Sequence, residues 1–525
     1  MSQLRQEMGG SARKGLKRFG KSLFFRLTVA FQAKNGYLCT RNEQFLHLLM
    51  EQKQIVGRYK EQQILHDCLN SKKAELIAVY GRRRVGKTFL VKNFFEGQFD
   101  FYCTGIYDGT KKEQLGNFAL SLHEAMPNAP KARLTDWFEA FEQLKSYLSG
   151  LNKEHIVVFI DEMPWFDTPR SRFLKAFEWF WNSWGADQPN LKIIVCGSAT
   201  TWIMSKLLGD KGGMHNRVTR RIKVSPFTLR EMEEMLMRNG VEWDRYQTVQ
   251  AYMALGGVPF YIQKIKPGYS AAQNIDQLFF DDNAELSLEY NILFRSLFNE
   301  SAKYRQVVEC LNRHMRGMTR EELVAALKWQ DSGLVTTILE DLCNCDFLRC
   351  YSAYGKKERG KMYQLTDMFT LFHLHFVDGY SGGDENHWST MAGGKTVAAW
   401  TGYAFEQVCL CHIPQIKKAL GINGIQSDIS SWTYKGLAGG KGAQIDLVIE
   451  RGDRIINLCE MKFAEDRYII NKAYADWLRA RKSIFRSATK TNKTLHTILV
   501  TTWGLHQNMH AAEIQKVITL EDLFK

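Results

Sequence analysis

The feature that most constrains this chain is the stretch AVYGRRRVGKTFL at residues 78–90. It contains the pattern G-x-x-x-x-G-K-[ST], with an apolar run before it and a helix-compatible run after it. Gly81 and Gly86 permit the tight turn that aims backbone N–H groups at phosphate oxygens. Lys87 would place its charge on the β- and γ-phosphates, and the hydroxyl of Thr88 would bind Mg²⁺. The stretch therefore predicts a nucleotide site whose binding residues are Gly81, Arg82, Arg83, Arg84, Val85, Gly86, Lys87, Thr88 and Phe89.

The second half of this site is predicted at the ends of two further apolar runs. Residues 156–160 form a continuous apolar run, which predicts a parallel strand buried on both faces, and ligands gather at the carboxyl ends of such strands. Asp161 follows directly and would hold the Mg²⁺ shell, while Glu162 would orient or deprotonate the attacking water. The run at residues 191–196 leads to Ser198, which is our candidate for sensing the γ-phosphate.

Arg217 is the candidate for an arginine that acts during phosphoryl transfer. A guanidinium group beside the γ-phosphate would stabilise the charge that spreads over it. The alternative is a surface arginine paired with an acid. The sequence does not indicate whether Arg217 would serve its own nucleotide or that of a neighbouring subunit.

In this order, these motifs resemble those of the archaeal-type ATPases, a prokaryotic AAA-like, STAND-related group of P-loop proteins. The matching segments are Gly81–Thr88, Ile160–Glu162, Gly197–Ser198, Asn216–Arg217, Pro226–Phe227 and Gly256–Tyr261. The resemblance implies an ATP-binding α/β core with a parallel sheet over residues 51–205 and a helical lid over 206–295.

Residues 296–378 follow as a predicted winged helix. Thr319 begins one helix and Ser332 another, and two short strand patterns then flank a turn that contains Lys356, Lys357, Arg359 and Lys361. Such modules place one helix in the DNA major groove and the wing on phosphates, or they dock proteins. The basic turn favours DNA.

A glycine-rich linker is predicted at residues 379–397, and a further domain at residues 398–525. Asp446 and the Glu460-x-Lys462 motif resemble the carboxylate–carboxylate–lysine arrangement of the PD-(D/E)XK nucleases, and Glu406 lies where many of them place a helical acid. A period of two puts Glu460 and Lys462 on one face of a strand. Glu406, Asp446 and Glu460 would bind Mg²⁺, and Lys462 would activate water against a phosphodiester. The alternative is a salt-bridged hairpin.

Composition limits the remaining possibilities. The chain has 525 residues, of which 45% are hydrophobic and 24% charged, as expected for a soluble protein of several domains. We find no signal peptide or apolar run of membrane-spanning length, and the 11 cysteines favour a reducing compartment, so we expect a cytoplasmic protein. The net charge of +14 favours polyanionic partners. Residues 1–50 form a basic N-terminal extension, either an arm on nucleic acid or a tail.

Taken together, the sequence predicts an ATPase joined through a winged helix to a nuclease-like domain that acts on DNA. Two alternatives stay open: an ATP-switched DNA-binding scaffold whose C-terminal fold is not catalytic, and a signalling ATPase that binds a protein ligand and oligomerises.

Overall fold

The computed structural model describes residues 55–525 except 130–132, 210–213, 215, 299, 357–359, 435 and 437–441. The basic extension expected at residues 1–50 lies outside the described residues, and so do Lys357 and Arg359 of the predicted wing.

The first region is built on a five-stranded sheet with the strand order β2-β3-β4-β1-β5. Every neighbouring pair in this sheet is parallel. The strands are β1 (Glu75–Tyr80), β2 (Phe101–Thr104), β3 (Ile156–Asp161), β4 (Leu191–Gly197) and β5 (Arg220–Lys223). The apolar runs of β1, β3 and β4 occupy the centre of the sheet, which confirms the predicted parallel core. Strand β5 lies inside the range expected for the lid, so the core extends further along the chain than the sequence indicated.

Helices cover both faces of this sheet. Phe173, Phe177 and Phe180 are fully buried in the core on one face. On the other face Leu65 and Leu90 pack against β1. The helices are α1 (Tyr59–Leu69), α2 (Lys87–Phe94), α3 (Lys111–Ala125), α4 (Trp137–Ser149) and α5 (Phe173–Ser183), with a short helical segment at Thr200–Trp202 and Ile203–Leu207.

Four helices and one short helical turn follow the core, as expected for a lid. They are α6 (Leu229–Arg238), α7 (Arg245–Leu255), the turn Pro259–Ile262, α8 (Ala271–Phe279) and α9 (Glu289–Leu297). A Cβ atom on Gly257 would lie 1.9 Å from the carbonyl oxygen of Phe227, so only glycine fits where these two backbones meet.

The next region combines helices with a small antiparallel sheet of order β6-β8-β7. Thr319 caps α11 in a capping box with Glu322, as the sequence predicted. The elements are α10 (Ser301–Arg313), β6 (Met318–Thr319), α11 (Arg320–Leu327), α12 (Gly333–Asn344), β7 (Leu348–Ser352), β8 (Lys361–Leu365) and α13 (Met368–Phe372), which continues as a π-helical turn at His373–Val377.

The segment expected to be a linker is packed against the lid. It contains a short helix, His387–Met391, in which Trp388 is buried. The backbone N–H of Trp388 donates to Oδ1 of Asp276 in α8 at 2.7 Å. The glycines in this segment predicted a linker because they allow many backbone conformations. The prediction did not take into account Trp388, whose burial fixes the segment against the lid.

The C-terminal region contains a mixed five-stranded sheet of order β13-β12-β11-β10-β9. Strands β9, β10 and β11 are antiparallel neighbours, whereas β11, β12 and β13 are parallel. A 3₁₀ turn at Ala511–Glu513 lies between β12 and β13. The elements are α14 (Lys395–Cys411), α15 (Ile413–Ala419), β9 (Ser427–Tyr434), β10 (Ala443–Arg451), β11 (Ile455–Lys462), α16 (Lys472–Thr489), β12 (Thr494–Thr501), β13 (Lys516–Ile518) and α17 (Leu520–Leu523).

One hydrophobic cluster continues from the lid into the C-terminal sheet. Leu255 of α7, Phe369 of α13, Phe405 of α14 and Met461 of β11 all belong to it. Residues 55–525 accordingly form one compact unit. In the described part of the chain, no helix is both long enough and apolar enough to cross a membrane.

Candidate functional site

The phosphate loop connects β1 to α2. Gly81 has φ 147°, and a Cβ atom there would lie 2.2 Å from the carbonyl oxygen of Val224. Gly86 caps the start of α2 with φ 90°. Both glycines therefore occupy conformations that other residues rarely adopt. The start of α2 at Lys87 agrees with the predicted strand–loop–helix arrangement.

Lys87 and Thr88 lie where the phosphate and magnesium chemistry is expected. Lys87 is buried, and its Nζ donates to the carbonyl oxygen of Arg82 at 2.9 Å. The hydroxyl of Thr88 lies 3.0 and 3.1 Å from the two carboxylate oxygens of Asp161 at the end of β3. Burial, together with the adjacent Glu162, raises the pKa of Asp161.

Ser198 contacts Glu162. Its backbone N–H and its hydroxyl both donate to Oε2 of Glu162, at 2.9 and 2.8 Å. Glu162 has the left-handed backbone conformation, with φ 47°. In the structure this side chain holds the candidate catalytic glutamate, and the role of Ser198 as a γ-phosphate sensor stays a prediction.

A cavity of about 990 Å³ opens beside Ser198. Trp165 of the core, Arg295 of α9 and Tyr304 of α10 are among its lining residues. The carboxyl ends of β3 and β4 therefore face the lid and the region after it across an open space.

The loop arginines were predicted to bind the nucleotide, but two of their side chains contact distant acids. Nη1 of Arg82 donates to Oδ1 of Asp367, and Arg82 has no exposed surface. Nη1 of Arg84 lies 2.7 Å from Oε2 of Glu289. The side chains of Arg82 and Arg84 thus form ion pairs with acids. We still predict that the backbone N–H groups of these two residues contact the nucleotide.

Sequence reasoning missed both acids. Asp367 and Glu289 lie far beyond the loop in the chain, and no motif marks them as partners of the loop. The signal available was the number of arginines in the loop, because a buried guanidinium group requires an acid.

Three other residues predicted for the ATP site have exposed side chains. Arg83 and Phe89 have exposed side chains. Arg217 is also exposed, shortly before Thr219, whose N–H donates to the carbonyl oxygen of Leu76. Leu76 lies near the start of β1, and the phosphate loop begins roughly 16 Å further along the strand at about 3.3 Å per residue. The action of Arg217 on the nucleotide of its own chain or of a neighbouring subunit stays a prediction.

The predicted C-terminal residues meet on α14, β10 and β11. Glu406, Asp446, Glu460 and Lys462 are close enough to influence one another electrostatically. Burial and the negative charge of Asp446 raise the pKa of Glu406 to about 8, with Lys462 opposing and Glu460 reinforcing the shift. The structure thus brings the four residues together.

Glu460 is already neutralised by basic neighbours. Its Oε2 accepts from Nη1 of the buried Arg481 at 2.5 Å, and its Oε1 accepts from Nζ of Lys462 and the hydroxyl of Tyr474, both at 2.8 Å. Burial alone would raise the pKa of Glu460, but Arg481 and Lys462 lower it. Arg481 and Tyr474 lie on α16 and were not predicted, because their spacing shows no known motif.

The two sites differ in how well they suit Mg²⁺. At the first site Thr88 and Asp161 supply the hydroxyl and carboxylate oxygens that Mg²⁺ prefers, already in contact with each other. At the second, Glu460 is engaged by Arg481 and Lys462. Within residues 55–525, as far as they are described, no group of three or more His, Cys, Asp or Glu side chains is arranged to hold a metal ion.

The parallel sheet, the glycine-bounded loop with Lys87 and Thr88, and the acids at the end of β3 define a P-loop ATPase core. Residues 55–265 match the family described as an ATPase domain predominantly from Archaea. This region is therefore an ATP-binding ATPase domain of the archaeal type, which confirms the resemblance for this part of the chain.

Two relatives come from Methanocaldococcus jannaschii. The uncharacterized protein MJECL04 is 23% identical over 437 residues, which is 82% of this chain and 92% of that protein. The uncharacterized ATP-binding protein MJ0423 is 51% identical over 43 residues, which is 8% of this chain and 73% of that protein.

Two solved structures resemble this chain at low sequence identity. The Walker-type ATPase PABY2304 of Pyrococcus abyssi has a TM-score of 0.44 and 17% identity, covering 61% of this chain and 96% of that one. The ORC2 protein of Aeropyrum pernix has a TM-score of 0.38 and 11% identity, covering 65% and 96%.

Proposed function

We propose that this protein is an ATP-driven switch whose nucleotide state controls a C-terminal nuclease-like domain acting on DNA, with Mg²⁺ as cofactor. In this proposal residues 296–378 act as a winged helix and residues 398–525 as a PD-(D/E)XK-type domain. The ATPase domain supplies the switch, and the C-terminal sheet supplies the site that is switched.

At the ATP site the residues have separate tasks. Lys87 binds the β- and γ-phosphates once it leaves the carbonyl of Arg82, while Thr88 and Asp161 hold Mg²⁺. When bound, the ion neutralises charge on the phosphates. Glu162 orients the attacking water and accepts its proton, and Ser198 holds the Glu162 carboxylate in place through its two hydrogen bonds.

The observation that carries the nuclease part is the meeting of Glu406, Asp446, Glu460 and Lys462 at one place. They come from a helix and two antiparallel strands, and β12 then adds in parallel beside β11 after the crossover helix α16. A salt-bridged hairpin would need no third acid from a helix. Burial is the main cause of the raised pKa of Glu406, and the negative charges of Asp446 and Glu460 add to it, so these acids act on one another.

A packed route joins the lid to this site. Tyr246 of α7 stacks on Phe463, with 4.8 Å between ring centres, and Phe463 directly follows Lys462. The imidazole Nε2 of His412, near α14, accepts from the N–H of Leu229 at 3.0 Å. A lid that moves with ATP would therefore move against the strand that carries Lys462.

The test is plasmid nicking with Mg²⁺ or Mn²⁺, with and without ATP. We expect the wild type to nick, Lys462→Ala to be inactive, and Lys87→Ala to lose the effect of ATP. Lys472→Ala is the matched control, because this exposed lysine lies near the site at the start of α16. Equal nicking by the wild type and Lys462→Ala, or none by either, removes the enzymatic part.

The second candidate is an ATP-switched DNA-binding protein whose C-terminal domain does not cut. The ion pair between Arg481 and Glu460 favours it, since that acid is already neutralised. Helix α12, GLVTTILEDLCN, carries no Lys or Arg, so DNA contact through the winged helix would depend on the wing. Salt-dependent DNA retention that survives Asp446→Ala, without cleavage, would favour this candidate.

A further inference from the structure

Two of the three arginines in the phosphate loop are anchored on acids in the lid and beyond it. The guanidinium group of Arg82 lies 4.6 Å from the ring centre of Phe347 and donates to Asp367. That of Arg84 lies 4.0 Å from the ring centre of Phe260 and pairs with Glu289. The loop is therefore attached by two separate side chains to elements that are distant in the chain.

Both acids are themselves held by other groups. Oδ2 of Asp367 accepts from the backbone N–H and the hydroxyl of Thr370, at 3.0 and 2.5 Å, and so caps α13. Oε1 of Glu289 accepts from the hydroxyl of Tyr261 at 2.9 Å. Asp367 is 5% exposed and Glu289 2%. Since each acid has one oxygen fixed by its own surroundings, the other presents a fixed position to an arginine.

These anchors connect directly to the phosphate site. The carbonyl of Arg82 accepts the Lys87 ammonium at 2.9 Å, while the side chain of the same residue is fixed on Asp367. A phosphate that binds Lys87 must compete with this carbonyl. Nucleotide binding and the docking of α13 therefore both depend on the position of the Arg82 backbone.

We infer that Asp367 and Glu289 are positioning residues of the ATP site, which hold the phosphate loop in its binding-competent shape. The inference rests on the ATPase domain and not on the proposed action on DNA. If the anchors were absent, bound ATP would have to order the loop itself, and its apparent affinity would fall by the fraction of competent loop. Because linkage is reciprocal, bound ATP must also stabilise the docking of α13.

The first experiment compares ATP hydrolysis by Asp367→Asn and Glu289→Gln with the wild type. We expect KM for ATP to rise about tenfold in each, a typical coupling between two sites. We expect kcat to change by less than about threefold, because the residues assigned to chemistry are untouched. Asp331→Asn is the matched control, since Asp331 pairs with Arg320 of α11 at 2.5 Å.

The second experiment measures a property that a merely structural role would not change. Amide hydrogen exchange at residues 368–377 is compared with and without a non-hydrolysable ATP analogue. We expect the analogue to slow this exchange in the wild type, and to have no such effect at saturation in Asp367→Asn. If Asp367→Asn does not fold, exchange in the wild type and KM of Glu289→Gln decide.

Unchanged KM in both folded variants would overturn the inference. So would an analogue that protects the loop at residues 81–90 but leaves residues 368–377 unaffected in the wild type. A wild type that binds no ATP at all would remove the ATPase assignment as well, whereas loss of DNA nicking alone would leave this inference intact.

Discussion

The chain contains two sites that combine acids with a lysine, and they are prepared for ligands to different degrees. At the ATP site the Lys87 ammonium lies on a backbone carbonyl, and Asp161 and Glu162 accept hydrogen bonds from the hydroxyls of Thr88 and Ser198. At the C-terminal site Glu460 accepts from two cations, Arg481 and Lys462.

The difference shows that sites with the same residue types can require a ligand to displace different groups as it enters. A phosphate and a cation can enter the ATP site by replacing neutral hydrogen-bond partners. At the C-terminal site a metal ion must displace a cation from a buried carboxylate, and breaking a buried pair is costly. We therefore expect the first site to bind its ligand readily and the second only after Arg481 or Lys462 moves.

The largest expected effect is that of Lys87→Ala. Removing the charge from the β- and γ-phosphates should reduce ATP turnover by about 10²–10³-fold, the scale of losing a major electrostatic contact to the transferring group. Steady-state ATP hydrolysis measures it. Lys92→Ala, further along α2 and packed over Tyr102, is the control. Near-normal turnover in Lys87→Ala would contradict our expectation that the ATP site binds phosphate through Lys87.

The next effect is that of Glu162→Gln. Loss of the group that accepts the proton should lower the single-turnover rate by about 10²-fold while ATP binding persists. Ser198→Ala should lower it by about tenfold, because only the orientation of Glu162 is lost. A Ser198→Ala variant with weakened ATP binding and a normal rate would instead support the original sensor role.

A third prediction concerns the ion pair between Arg481 and Glu460 at the C-terminal site. Arg481→Gln should lower the free energy of unfolding by about 2 kcal/mol, less than the loss of a lone buried pair because Lys462 remains. Mn²⁺ should then restore part of the loss by taking the vacated position, as followed by Tm. Arg479→Gln, on the exposed face of the same helix, is the control. If Mn²⁺ stabilised the wild type equally, Arg481 would not limit metal entry.

The last effect is a pH dependence that comes from Glu406. Its pKa is raised to about 8, compared with about 4.3 when unfolded, so the folded state retains a proton between these values. Its contribution to stability is complete below about pH 4 and is lost as pH rises through 8. Glu406→Gln should therefore gain a few degrees of Tm relative to the wild type between pH 5 and pH 9. Glu465→Gln, an exposed acid nearby, should show no such trend.

Local patterns predicted the central elements well. The apolar runs became β1, β3 and β4, Lys87 begins α2, and Thr319 caps α11. Each of these features depends on neighbours within a few residues, so the amino-acid order contains the information directly.

Predictions that depended on distant partners were less complete. Strand order was one case, because β4 lies between β1 and β3 and β5 joins the other side of β1. The direction of the Arg82 side chain was another, because its acid lies 285 residues further along the chain. The hydrogen bond from Ser198 to Glu162 was a third case, because it joins residues at the ends of two different strands.

The sequence by itself determined the presence of a nucleotide site, since a backbone turn, one lysine and one hydroxyl suffice to define it. It also named the four residues that meet at the C-terminal site. Only the tertiary structure decided which charges are already paired, namely Arg82 with Asp367, Arg84 with Glu289 and Arg481 with Glu460. The physical reason is that a local motif specifies which groups are available, whereas burial and long-range contacts determine which of them remain free for a ligand.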